Sequence, residues 1–244
     1  MTLAGVPVGV VVLVGLVVLV GAFVQSTVGL GLGLLGAPVI ALVEPTLVPT
    51  MLLLLAIPVS LGVTVVEWRH IDWRVIAWML PPRVPGTFLG VWLATAFSHR
   101  VLGVVIAVLV LLAVGLAVRT VTVPQTPTTL VAAGLAAGTT GTAAAIGGPP
   151  VAIVLAHRSS RVSRGTMSFF FLVGSVLSAV WFAAVGEMPR SSLVLALLYL
   201  PLVPLALWLG THAHLRIPRE SFRRAVLALC AASAVALLAR SLLG

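Results

Sequence analysis

Lysine is absent from the 244 residues, cysteine occurs once, and five carboxylates stand against 14 basic residues, all of them arginine. Each shortage excludes something. Charged residues make up 8% of the chain, against about a quarter in a water-soluble domain, too few to coat one. Cys230 has no partner for an internal disulfide and, lying in an apolar run, reads as a packing residue. The arginines punctuate apolar stretches instead of forming one basic face, so the formal charge of +9 reads as a set of topology signals and not as a nucleic-acid footprint. No Lys or Arg precedes the first apolar stretch, from about Val8 to Val24. Without the basic region of a secretory signal peptide, that stretch is expected to be the first transmembrane helix.

What remains is 61% hydrophobic, with a mean hydropathy of +1.25. A helix rising 1.5 Å per residue needs about 20 residues to cross a hydrocarbon core of about 30 Å. Runs of that size lie near 7–28, 47–66, 73–96, 101–118, 128–145, 163–185, 191–211 and 222–243. The connections are short, which leaves no room for a soluble catalytic domain and predicts an all-α polytopic membrane protein that is not an enzyme.

The chain resembles itself. Gly29, Gly36, Pro38 and Val39 match Gly141, Gly148, Pro150 and Val151 at an offset of 112; Thr50-Met51 matches Thr166-Met167 at 116; Pro81 and Gly90 match Pro201 and Gly210 at 120. The order of landmarks predicts a first transmembrane repeat over 1–119, a linker over 120–127 and a second repeat over 128–244, each with about four long helices and one short one. The short pieces, Gly31 to Val43 and Gly147 to His157, would reach less than about 20 Å and are expected to be broken or re-entrant helices.

Arginine counts set the orientation. If the short pieces do not cross, Arg69, Arg74, Arg119, Arg190 and Arg240 face eight arginines on the other side; if they do, Arg100, Arg190 and Arg240 face ten. The second arrangement separates charge better and makes the repeats inverted. Both place the termini on the non-cytoplasmic side of the cytoplasmic membrane.

Two Gly-rich units carry the chemistry. The first holds Gln25, Ser26, Thr27, Gly29, Gly31, Gly33, Gly36 and Pro38; the second holds Thr139, Thr140, Gly141, Thr142, Gly147, Gly148, Pro149 and Pro150. Glycine lets a helix break, proline suits the first turn of the next, and the N–H groups of a broken helix attract anions, with Gln and Thr adding neutral donors. The alternative is close helix packing of the small-xxx-small kind. Arg83, among Pro81, Pro82 and Pro85, falls near mid-span, where arginine costs about 2.5–3.5 kcal/mol and generally faces a bundle interior or pathway; the alternative is a shifted span from which Arg83 snorkels to an interface. The prolines are expected to break that helix, and the freed carbonyls offer Arg83 acceptors. No mid-span carboxylate occurs. Glu67 and Glu187, at span ends, are the best candidates for proton coupling. The five histidines are peripheral, and His212 and His214 at i, i+2 do not share a helical face, so no metal site is expected. No cofactor is expected. Trp68, Trp73, Trp92 and Trp208 read as interfacial anchors.

These units, with the Pro81…Gly90 and Pro201…Gly210 pairs behind them, make the chain resemble the TauE/SafE family of sulfite and organosulfonate exporters over essentially its whole length. The family has consecutive glycines before each proline; here leucines interrupt the first run and Gly147-Gly148 remains of the second. The resemblance implies a secondary transporter moving a small anion such as sulfite, sulfoacetate, another organosulfonate or a carboxylate. Its partners would be the substrate, the bilayer and a proton or sodium coupling ion, with a homo-oligomer compatible and nucleic acid excluded. A passive anion channel and a non-transporting accessory protein are the alternatives.

Overall fold

The computed structural model describes residues 2–3, 5–29, 31–118, 123–213 and 219–243. Arg119, His214, Arg216 and the side chains of Arg219, Arg223 and Arg224 therefore lie outside the description. A hairpin of two-residue strands, β1 (Thr2–Leu3) and β2 (Val6–Pro7), precedes eleven α-helices among the described residues. These are α1 (Val8–Val28), α2 (Leu32–Val43), α3 (Thr50–Glu67), α4 (Trp73–Ala96), α5 (His99–Val118), α6 (Pro127–Ala144), α7 (Gly148–Val154), α8 (Ser160–Ala184), α9 (Arg190–Tyr199), α10 (Leu202–Ala213) and α11 (Arg219–Leu243).

Among the described residues, Val8–Thr27, Thr50–His70, Ser160–Ala184 and Val226–Leu243 are each long and apolar enough to cross a membrane, and α9 with α10 make a fifth span if counted together. Their outer faces are apolar: Val65, Leu197 and Trp208 are more than half exposed, as are Trp68 and Trp92. The polar groups point inward, with Gln25, Ser60, Arg83, Thr142 and Ser178 buried. Lipid as the outer solvent explains both facts, since tails cost nothing to apolar side chains whereas unpaired polar groups need protein partners. The chain is a multi-pass membrane protein.

Two elements depart from the expected breaks. The α4 helix runs continuously through Pro81, Pro82 and Pro85, while the segment expected as one span over 191–211 bends by 50° between α9 and α10, at Leu200-Pro201. The α4 helix is held along its length by α6. A Cβ on Gly138 would come within 2.7 Å of the Arg83 carbonyl, and one on Gly90 within 2.6 Å of the Thr139 carbonyl. The missing side chains let the two backbones touch, so packing offsets the hydrogen bonds that proline deletes. At Pro201 no such glycine interlock is present among the described residues.

Elsewhere α1 lies along α10, α3 along α8 and α5 along α11, and each short helix packs on the helix before it, α2 on α1 and α7 on α6. Asp72 caps α4 by accepting from Val75 (3.2 Å) and is paired with Arg158 at 2.9 Å. Arg158 also donates to Gln125 at 3.1 Å, and Gln125 to the Val154 carbonyl at 2.7 Å. Arg100, at the far end of α4, donates to the carbonyls of Ser241 (2.6 Å) and Leu242 (2.8 Å) at the end of α11.

Candidate functional site

Helix α1 stops at Gly29, whose φ of 91° is a left-handed conformation that glycine adopts without strain. The Gln25 side chain bridges the break: its oxygen accepts from the Leu32 N–H and its amide donates to the Ser60 hydroxyl, both at 3.2 Å. Helix α2 therefore starts at Leu32. Pro38 sits inside it and not in its first turn, as the sequence suggested; its absent N–H leaves the Leu34 carbonyl without a helical donor.

Helix α6 stops at Ala145, a non-glycine residue with φ 58°, a costly conformation for any residue bearing a Cβ. Thr140 closes this second break. Its carbonyl accepts from Ile146 N–H at 3.2 Å and its hydroxyl lies 2.9 Å from the Ile146 carbonyl. Pro149 and Pro150 occupy the first turn of α7, as expected, and remove two of its N–H donors.

The two breaks touch. The backbone of Gly33 lies so close to the Ala145 carbonyl that any Cβ there would overlap it. Between them is a cavity of about 50 Å³, lined by Gly31 and Gly33 from the first break, Ala145 to Pro149 from the second, Gln25, Gly141 and Arg83, and on the remaining sides by residues of α3 and α8 including Leu53, Phe171 and Ser175.

Arg83 is 2% exposed. Its Cζ sits 4.4 Å from the centroid of the Phe170 ring, and Gly174, one turn further along α8, leaves the space that the guanidinium fills. Nε and Nη1 have no hydrogen-bond acceptor. The carbonyls freed by the prolines do not serve it, and no carboxylate pairs with it among the described residues. Val203, its counterpart at the repeat offset, is a buried valine, so only one half brings a charge here.

Of the residues singled out by sequence, Gln25, Gly31, Gly33, Arg83, Gly141, Gly147, Gly148 and Pro149 line the cavity. Others are turned to local work. Ser26 donates to the Phe23 carbonyl (2.8 Å), Thr27 to Val24 (2.9 Å) and Thr139 to Leu135 (3.0 Å); Thr142 shares a hydrogen bond with Ser178 (2.7 Å), and Gly36 packs on Leu52. Pro150 follows Pro149 into α7.

Glu67 is buried, ion-paired with Arg164, and 3.1 Å from Nδ1 of His70. Arg164 also donates to the Ser26 carbonyl (3.1 Å), tying the end of α1 to α3 and α8. Glu187 is exposed, near Arg190 at the end of α8 away from Arg164. Sequence reasoning missed Ala145, Phe170, Gly174 and the role of Arg164; Phe and Gly in an apolar helix carry no signal of what they face.

A buried, unpaired cation beside two helix breaks is an arrangement suited to holding an anion. Comparison with curated proteins and with solved structures returns no match. A family model for the sulfite exporter TauE/SafE matches residues 13–237, nearly the whole chain, and the chain belongs to that family.

Proposed function

We propose that the protein is a secondary transporter that holds a small oxyanion, such as sulfite or the head of an organosulfonate, in the cavity between the two helix breaks. The observation that carries this is Arg83: a buried guanidinium lining the cavity with two nitrogens unpaired. A buried charge without a partner is costly, and an anion supplies both the opposite charge and the missing acceptors. The cavity of about 50 Å³ has room for about three to five water-sized groups by the measure in which one probe sphere is about 10–15 Å³. That is the scale of a sulfite or sulfonate group. The first-turn N–H of Gly33 and that of Gly148 add neutral donors, whereas the prolines of α7 subtract theirs.

The two halves act as inverted repeats on this reading. In support, matching α1 to α5 with α6, α7, α8, the α9–α10 pair and α11 maps the α4–α6 contact onto α10–α1 and the α2–α11 contact onto α7–α5. The α3–α8 and α5–α11 contacts map onto themselves. Glu67, buried beside the end of α1, is the better placed of the two carboxylates for proton coupling; Glu187 faces outward.

Purified protein in vesicles should take up labelled sulfite with saturation, Arg83→Ala and Gly148→Leu should each lose that uptake, and Glu67→Gln should lose its dependence on a proton gradient. Unchanged uptake in both Arg83→Ala and Gly148→Leu overturns the site; uptake that does not saturate identifies a channel.

A further inference from the structure

A second cavity, of about 330 Å³, lies between the start of α5, the end of α11 and the end of α2. The 24 residues of α4, about 36 Å of helix, separate its level from that of Asp72 and Arg158. Arg100, in the first turn of α5, and Arg240, in the last turn of α11, stand at its mouth. Leu102 and Ile106 lie progressively deeper on α5, Leu237 one turn deeper on α11, and Ala41 on α2. The slot is cationic at helix-end depth and apolar below.

Neither arginine is neutralised by a described carboxylate. Among the described residues Arg100 donates only to the carbonyls of Ser241 and Leu242 at the C-terminal end of α11, whose partial negative charge offsets the guanidinium only in part. Arg240 makes no hydrogen bond or ion pair among the described residues. Glu44, next to Pro45 on the cavity wall, turns its carboxylate to the Thr46 hydroxyl at 2.6 Å. Topology does not account for these charges either. In the inverted arrangement, on which this one step rests, they are two of the three arginines on the arginine-poor side, and they converge on one cavity.

We propose that this cavity binds an anionic phospholipid, its phosphate between Arg100 and Arg240 and the upper part of an acyl chain against Leu102, Ile106 and Leu237. Guanidinium groups match phosphate in geometry as well as charge, and two of them at helix-end depth stand at the level of lipid head groups. The volume is at the lower end of ligand sites, enough for the head and adjoining chain while the remaining tail lies in the bilayer.

The test is native mass spectrometry of the full-length protein with phosphatidylglycerol and phosphatidylcholine of the same chains. Wild type should retain phosphatidylglycerol in preference. Arg240→Gln should weaken that retention about fivefold, Leu102→Trp should abolish it by filling the slot, and Arg190→Gln, the third arginine of that side, should leave it unchanged. Equal retention of the two lipids by wild type, or Arg240→Gln indistinguishable from Arg190→Gln, overturns the proposal. Displacement of the lipid by glycerol phosphate identifies a free-phosphate site and overturns the lipid assignment. Arg240→Gln should still transport sulfite, so failure here is distinguishable from failure of the transport reading.

Discussion

Arg83 is tolerated because three neighbours make its site without cancelling its charge. Phe170 offers a ring face, Gly138 admits the backbone and Gly174 admits the guanidinium. A desolvated cation–π contact contributes about 2 kcal/mol, which does not replace the lost hydration of two unpaired nitrogens. Gly174→Ala tests the arrangement at single-atom scale. Alanine favours a helix over glycine by about 0.5–1 kcal/mol, yet its Cβ would overlap the guanidinium. The expected outcome is an unchanged helical circular dichroism spectrum and loss of sulfite-induced thermal stabilisation, the stabilisation that any ligand of the folded state must give. A variant stabilised by sulfite as wild type is would show that the position of Arg83 is immaterial to binding. Arg83 was legible in the sequence because a lone charge in an apolar span has few explanations. Phe170 and Gly174 were not, since about 90 residues separate them from Arg83 and only the fold brings them together.

At the scale of elements, the long spans and the two short helices could be placed to within a few residues from apolar runs and glycine clusters, but proline was a poor guide to breaks. It failed in α4 because a helix neighbour decides whether a proline bends it. Gly86 and Gly90 on α4 face Leu135, Thr139 and Thr142, while Gly134 and Gly138 on α6 face Met79 and Arg83. The four glycines form a reciprocal small-xxx-small contact, so the packing reading of Gly138 and the broken-helix reading of Gly147 both hold, for different parts of one motif. Gly138→Leu would force α6 off α4 and should cost about 1–3 kcal/mol, read as a lower melting temperature in detergent. Gly9→Leu and Gly115→Leu, where a Cβ meets nothing within 4 Å, serve as controls. Equal stability of all three variants would mean that the close approach contributes nothing to holding α4 straight.

For the whole molecule, the two arginine splits compatible with the sequence make opposite claims about which loops share a membrane face. If the short helices did not cross, Asp72, beside Arg69 and Arg74, would lie on the other face from Arg158, and Arg100 on the other face from the end of α11. Asp72 and Arg158 are 2.9 Å apart and Arg100 bonds to Ser241; α7 lies between the members of both pairs and α2 between neither, so these contacts support a crossing by α7, as the proposed inverted arrangement requires. The proposed inverted arrangement would gather ten arginines on one side, which the positive-inside rule would then assign to the cytoplasm. Loop accessibility should follow. With the buried Cys230 replaced by alanine, an impermeant maleimide applied to intact cells should label Ser98→Cys and Val185→Cys. It should reach Pro124→Cys and Ser159→Cys only after permeabilisation. The reverse pattern would overturn the proposed orientation. Opposite accessibility within either pair would mean that α7 does not complete a crossing, and would overturn the inverted-repeat reading.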